Sequence, residues 1–271
     1  RDFMVAPGCK SINLSANLFY VSERMISKEG IAKKVKRAIK KGFVPVLPVV
    51  DNKNKKAAEN LTEIRKCNPQ ATLIYLKEKL TWSVSQVQEK YAEIWLLQDR
   101  FNPSQQRIQI NIESKLESNH TSYNVAGYVE GSSHSEQLII FCGHYDHLGK
   151  MGDATFYGAN DNASGISMLL DMAEYFTENP QKYSIAFVAF GGEEAGLVGS
   201  LHYVKNPLLP LSNTKFVFNM DLMGSGEEGA TIVNGSVYKD AYAALVKIND
   251  TNAYLPSIKS RGKAANSDHY F

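Results

Sequence analysis

Between Ile139 and Gly165 the chain reads Ile-Ile-Phe-Cys-Gly-His-Tyr-Asp-His-Leu-Gly, a short loop, and then Gly-Ala-Asn-Asp-Asn-Ala-Ser-Gly. The segment from Gln137 to Cys142 is apolar and rich in β-branched residues, as a buried central strand is, and Gly143-His144 ends it abruptly. Groups able to hold a ligand therefore begin where the strand stops. In an open α/β sheet that edge, just beyond the carboxyl ends of the strands, is where ligands bind. His144 and Asp146 lie two residues apart, so a strand continuing outward aims both side chains to one side. One of them can bind a metal while the other steers it.

From residue 118 onward, strand and helix patterns alternate. Strands are expected at Tyr123 to Glu130, Gln137 to Cys142, Ser184 to Phe190 and Lys215 to Met220, with helices at Ala163 to Thr177 and Gly196 to Val204. That order predicts an α/β fold: a three-layer sandwich with a mixed, largely parallel central sheet flanked by helices. Residues 1–117 differ in texture and hold no cluster of metal-type ligands, which predicts a smaller mixed α/β accessory domain. There the patterns predict a strand at Leu18 to Val21, a helix over Lys28 to Lys41 and a strand at Phe43 to Leu47. An exposed loop over Asp51 to Asn60, a strand at Thr72 to Leu76, a helix over Ser83 to Leu97 and a strand at Arg107 to Ile112 follow. In the first helix Ile31, Val35, Ala38 and Ile39 share a face, the lysines read as its solvated surface, and Gly42 ends it. The polar stretch Ser118 to Ser122 reads as the link to the catalytic domain, residues 118–271.

Charge and length bound the function. The 271 residues carry 30 basic and 28 acidic side chains, a formal net charge of +2, which gives no reason to expect a polyanion partner such as nucleic acid. No stretch of eighteen consecutive apolar residues occurs, so no membrane-spanning helix is expected. The chain opens at Arg1 with no basic n-region followed by an apolar h-region, so a signal peptide is expected to be either absent or already removed. Of the three cysteines, Cys142 reads as a small buried residue, and Cys9 with Cys67 is the one pairing left open.

The chemistry concentrates at the ends of these segments. His144 and Asp146 follow one strand, Asp161 opens a helix, Glu193 and Glu194 follow a second strand, Asp221 follows a third, and Ser267-Asp268-His269 comes near the end. Carboxylates and imidazoles brought to one edge repel each other strongly without a cation, so a metal completes the arrangement. Histidine nitrogen with carboxylate oxygen and no thiolate suits catalytic zinc. Two ions can be filled, one by His144 and Asp221, the other by Glu194 and His269, with Asp161 offering an oxygen to each. A pair about 3.5 to 4 Å apart polarises a carbonyl and lowers the pKa of a shared water. Of the adjacent Glu193 and Glu194, one ligates while the other reaches the water, taking its proton and giving it to a leaving amine.

These motifs, with Gly-Gly-Glu-Glu-Ala-Gly-Leu-Val-Gly-Ser, Asn-Met-Asp-Leu-Met-Gly and Ser-Asp-His added, resemble in order and spacing the co-catalytic di-zinc aminopeptidase family, which includes bacterial leucyl aminopeptidases, aminopeptidase Y and glutamate carboxypeptidase II. The match runs from residue 123 to 271. The resemblance implies that His144, Asp161, Glu194, Asp221 and His269 are zinc ligands with Asp161 bridging, that Asp146 orients His144, and that Glu193 is the general base. It also implies a cis Asp161-Asn162 peptide bond. The helix-then-strand passage Ile31 to Leu47 resembles the protease-associated domain that many members carry. The family usually continues beyond its last histidine and places helices ahead of the accessory domain, so the chain is expected to be trimmed at both ends.

The function expected is that of a secreted or periplasmic zinc-dependent exopeptidase, an aminopeptidase that removes amino-terminal residues from peptides or small proteins. A single-zinc glutaminyl cyclase and a metal-free binding scaffold of the same fold are the alternatives, and the complete ligand set argues against both. His147 reads as a residue lining the loop, and Asp268 as an outer or capping residue beside His269.

Overall fold

A computed structural model describes residues 2–51, 53–77 and 79–271 of the chain. They form two compact units, Arg1–His120 and Thr121–Phe271.

The first unit comprises β1 (Phe3–Val5), β2 (Ile12–Tyr20), α1 (Glu23–Ile26), α2 (Ile31–Lys40), β3 (Val44–Pro48), α3 (Lys55–Arg65), β4 (Ala71–Leu76), β5 (Ala92–Leu97) and β6 (Arg107–Ile112). The six strands make one sheet in the order β1-β5-β4-β3-β2-β6. The four middle strands are parallel, and β1 and β6 close the edges antiparallel. Alternation divides the buried residues between the faces: Leu47 and Ile74 pack with Ile31 and Val35 of α2 and Ile64 of α3, while Val44, Val46, Leu73 and Tyr75 point to the opposite side with Ile94 and Ile110.

Two expectations are corrected here, and one open pairing is decided. The lysine-rich stretch around Asp51 to Asn60 is not a loop throughout, because α3 starts within it. Its Asn54 caps the helix by accepting a hydrogen bond from the Ala57 amide at 3.1 Å. Only Ala57, Asn60 and Ile64 of α3 are buried, so the apolar signal is sparse. Asn60 takes a core position by donating to the Ile26 and Lys28 carbonyls. Ser83 to Leu97 is not a helix: its second part is β5, held between β4 and β1, and this strand pairing overrides the helical spacing of the side chains. The three cysteines are free, so Cys9 and Cys67 are not bridged.

The second unit comprises β7 (Val125–Val129), β8 (His134–His144), β9 (Lys150–Met151), β10 (Ala154–Thr155), α4 (Ser164–Glu178), β11 (Tyr183–Phe190), α5 (Val198–Lys205), β12 (Thr214–Asn219), β13 (Ala230–Ile232), α6 (Lys239–Asn252) and β14 (Ile258–Ser260). Its main sheet has the order β12-β8-β11-β7, with β7 antiparallel and the rest parallel. It is the mixed, largely parallel sheet expected, with β8 at its centre. Leu138, Ile140 and Cys142 of β8 face α5 with Ala186, Val188 and Phe190 of β11, around Tyr203. Phe141 faces the other way with Ile185 and Phe187, toward Leu169 and Phe176 of α4. Two helical layers therefore enclose the sheet. Strands β9 and β10 form a small ribbon, and β13 with β14 a second pair.

Parallel pairing aligns the carboxyl ends. Phe190 of β11 lies opposite His144 of β8, and Asn219 of β12 opposite Cys142. The loops that leave these strands therefore emerge side by side. Between β10 and α4 the turn Ala159–Ala163 carries Asp161 and Asn162 out of helical geometry, and the Asp161-Asn162 peptide bond is cis. Asn162 is 2% exposed and ties the ends together. Its side-chain nitrogen donates to the carbonyls of His144 (3.3 Å) and Met220 (2.9 Å), and its oxygen accepts from the amides of Gly165 (3.1 Å) and Leu222 (3.3 Å).

Two substitutions test these assignments. Leu47→Ala removes a fully buried side chain of the first unit and should cost about 2–5 kcal/mol. An unchanged urea midpoint would place Leu47 outside the core. Asn162→Ala leaves two carbonyls and two amides without their partner and should cost on the order of 3 kcal/mol. A loss below about 0.5 kcal/mol would mean that water replaces the side chain and that Asn162 is not the tie described.

Candidate metal centre

The site is built on one buried imidazole. His144 is the last residue of β8 and 1% exposed, held there by the strands on either side. Its Nδ1 meets the backbone carbonyl of Asp146 at 3.1 Å. Its Nε2 faces Oδ1 of Asp161 at 3.3 Å and Oδ1 of Asp221 at 3.4 Å. With Nδ1–H donating to Asp146, the Nε2 lone pair is directed at two carboxylate oxygens, an arrangement that only a proton or a metal cation can satisfy. Burial alone would lower the imidazole pKa, but the Asp221 contact, the Glu193 charge and the Asp146 carbonyl together raise it to about 9.

Asp146 acts on two neighbours through different atoms. Its carbonyl fixes the ring of His144, while its carboxylate stays 3.9 Å from Nδ1. That carboxylate instead accepts the amides of Glu193 (3.0 Å) and Glu194 (3.2 Å). It thereby pins the loop after β11 to the loop after β8. The side chain of Asp146, expected to orient His144, is instead a clamp on the glutamate pair that spacing alone did not reveal, and the contact to the ring comes from the backbone carbonyl.

The ionisable groups collect into two sets. His144, Glu193 and Asp221 form one, and His147, Asp161 and Glu194 form the other; within each, the nearest ligand atoms all lie within 4.8 Å of one another. Burial raises the Glu193 carboxyl to about 7, with the neighbouring Asp268, Glu194 and Asp221 charges adding to it against the His144 charge. Burial also raises Glu194, with the Asp161 charge reinforcing it and His147 opposing it. Asp221 moves the other way: burial would raise it, but the His144 and Ser267 contacts hold it below the usual carboxylate range. The donors are imidazole and carboxylate with no thiolate, since Cys142 points into the core, and this set fits a divalent ion of the zinc type.

The structure brings together six of the seven residues singled out from the sequence. His144, Asp161 and Asp221 converge directly, Asp146 clamps the glutamates, and Glu193 and Glu194 stand one in each set. His269 is the exception. It sits on the short turn Asp268–Tyr270, its Nε2 meets the Ala264 carbonyl at 3.0 Å, and it belongs to neither set among the described residues. Asp268 beside it is buried, which raises its carboxyl. The residue that spacing missed is His147, whose Nδ1 lies 2.7 Å from Oε1 of Glu194. Its one sequence signal was its place immediately after Asp146.

The model of the family described as Peptidase family M28 matches residues 124–271. The aminopeptidase YwaD of Bacillus subtilis (strain 168) is 34% identical over 128 residues, which are 46% of this chain and 27% of that protein. Among solved structures, BSAP, a zinc aminopeptidase from Bacillus subtilis, aligns over 98% of this chain and 64% of its own with a TM-score of 0.68 at 24% identity. An aminopeptidase from Aneurinibacillus sp. strain AM-1 aligns over 99% and 65% with a TM-score of 0.63 at 20% identity. The chain thus spans about a quarter of the length of the first relative and just under two thirds of these solved neighbours, whose likeness is one of fold. Because the family model covers more than half of the chain and takes in every convergent group described above, the protein belongs to peptidase family M28.

Proposed function

We infer that the protein is a zinc-dependent aminopeptidase that binds two ions and removes amino-terminal residues from peptides or small proteins. The observation that carries this reading is the His144 imidazole with Nδ1 held by Asp146 and Nε2 turned to the oxygens of Asp161 and Asp221. Membership of peptidase family M28 supports a hydrolase, and the names of the relatives support an aminopeptidase.

His144, Asp161 and Asp221 would hold one ion; Asp161 and Glu194 would hold the other, to which His269 would supply a nitrogen only by turning its ring from the Ala264 carbonyl. When bound, zinc supplies Lewis acidity that polarises a carbonyl and acidifies water. The protein's own residues provide the rest. Asp146 keeps both glutamate backbones fixed against the loop after β8, so the two neighbouring carboxylates reach different places. Glu193 lies with His144 and Asp221, half-buried, and acts as the general base. It takes a proton from water as the water oxygen bonds to the scissile carbonyl carbon. The carbon–nitrogen bond then breaks, and Glu193 returns the proton to the departing amine. Burial raises the affinity of this carboxylate for a proton, as a group that must accept and release one requires.

Glu193→Gln keeps the shape of the side chain and removes the base. It should leave two zinc ions per chain by elemental analysis and lower kcat on aminoacyl chromogenic substrates by about 10²–10⁴-fold. Activity near that of the parent would sink the base assignment. Loss of one ion together with activity would instead make Glu193 a ligand. Exhaustive chelation should abolish turnover, and zinc should restore it; release of amino-terminal residues that survives a metal-free state contradicts the reading as a whole.

A further inference from the structure

His147 reads from the sequence as a residue lining a loop, yet the structure builds a place for it. Its ring lies against Gly158, where an added Cβ would come within 3.1 Å of both Cβ and Cδ2 of His147. Gly158 has φ +66° and opens the turn that delivers Asp161. A larger residue there would disturb the imidazole and the Asp161 turn at once. On its other side the ring meets Glu194: Nδ1 lies 2.7 Å from Oε1, the separation of a charge-assisted contact. Both atoms are buried and neither has a hydrogen-bond partner, so their 2.7 Å approach is the polar contact the structure gives each of them. The contact with each other is therefore what offsets the loss of water for both.

A carboxylate offers two oxygens. When one is held by a neighbouring nitrogen, the other is the oxygen free to face a cation, and the rotation of the carboxylate is fixed. We propose that His147 is a positioning residue of the second ion's site: its imidazole holds Oε1 of Glu194 and so sets that carboxylate for the ion shared with Asp161. The proposal rests on the two-ion reading given above and assigns His147 no metal bond of its own. Removing such an outer partner weakens metal binding by about 10–100-fold in comparable sites.

The test is zinc affinity of the 271-residue protein, measured by competition with a chromogenic chelator, for the parent, His147→Ala and His147→Asn. Asn carries an N–H donor near the position of Nδ1 but no ring. The expected result is that His147→Ala binds the tighter ion as the parent does and the weaker one about 10–100-fold less well, and that His147→Asn recovers most of the difference. In the cobalt-loaded forms, the visible bands of the parent and His147→Asn should coincide, because no ligand atom has changed. Parent-like affinity for both ions in His147→Ala overturns the proposal. So does a loss that Asn fails to recover and that shifts the cobalt bands, since His147 would then be a ligand. A parent that takes up fewer than two ions overturns it together with the two-ion reading. A parent with two ions and no peptidase turnover removes the aminopeptidase reading alone, and the affinity comparison still decides the role of His147.

Discussion

The second unit is arranged around a repulsion. His144, Asp146, Asp161, Glu193, Glu194, Asp221 and Asp268 bring six carboxyls and one imidazole to one end of a sheet, and several of them are half-buried or better. Burial disfavours ionisation, and like charges at this density add to the effect, which is why the Glu193, Glu194 and Asp268 carboxyls are raised. The chain tolerates the arrangement because strong apolar packing lies directly behind it. Val188, Phe190, Ile140 and Cys142 fill one face of the strands below, and Phe141, Phe187 and Leu169 fill the other. The sheet provides the stability and its edge carries the strain of charge.

Topology turns that edge into a site. Because β8, β11 and β12 are parallel and in close register, three separate loops start at the same level, and each contributes an ionisable residue within its first few positions. The fourth contribution, Asp161, comes from a turn rather than a strand end. Asn162 is what brings it in: with its partners at His144, Met220, Gly165 and Leu222, it connects the ends of β8 and β12 to the start of α4. Asp146 makes the corresponding link to the loop after β11. Two polar side chains thus fix the relative positions of four loops, and each does so through backbone groups, which point mutations in the partner loops leave in place.

The sequence announced this region because each strand there is short, apolar and followed at once by residues of a different kind. The apolar runs of β8 and β11 were legible to within a few residues, as was the helix that follows Asn162. Where the pattern misled, a competing interaction had taken over. In α3 a buried Asn60 held by two carbonyls stands where an apolar residue would have marked the helix, and in β5 pairing on both sides overrode a helical spacing. The segment from Asp221 to Ser267 gave no readable pattern, and its α6 has no buried residue to produce one. Within the site, composition and order identified the acidic groups. They could not reveal that the Asp146 carboxylate reaches backbone amides, or that His147 rather than His269 lies beside Glu194, because both depend on how loops fold back in space.

These features join folding to metal binding. A cation held at His144, Asp161 and Asp221 would relieve the repulsion that opposes the folded state, and the unfolded chain holds no such preformed site. Any ion bound to the native form alone adds RT ln(1 + [L]/Kd) to its stability, about 2.7 kcal/mol at a hundredfold excess over Kd. The same groups therefore work against the fold when bare and for it when loaded. The strong hydrophobic packing beneath the strand ends supports the site, and the polar ties of Asn162 and Asp146 fix its geometry. Preorganisation here comes from side-chain bonds to backbone, the neutral amide of Asn162 on one side and the carboxylate of Asp146 accepting two amides on the other.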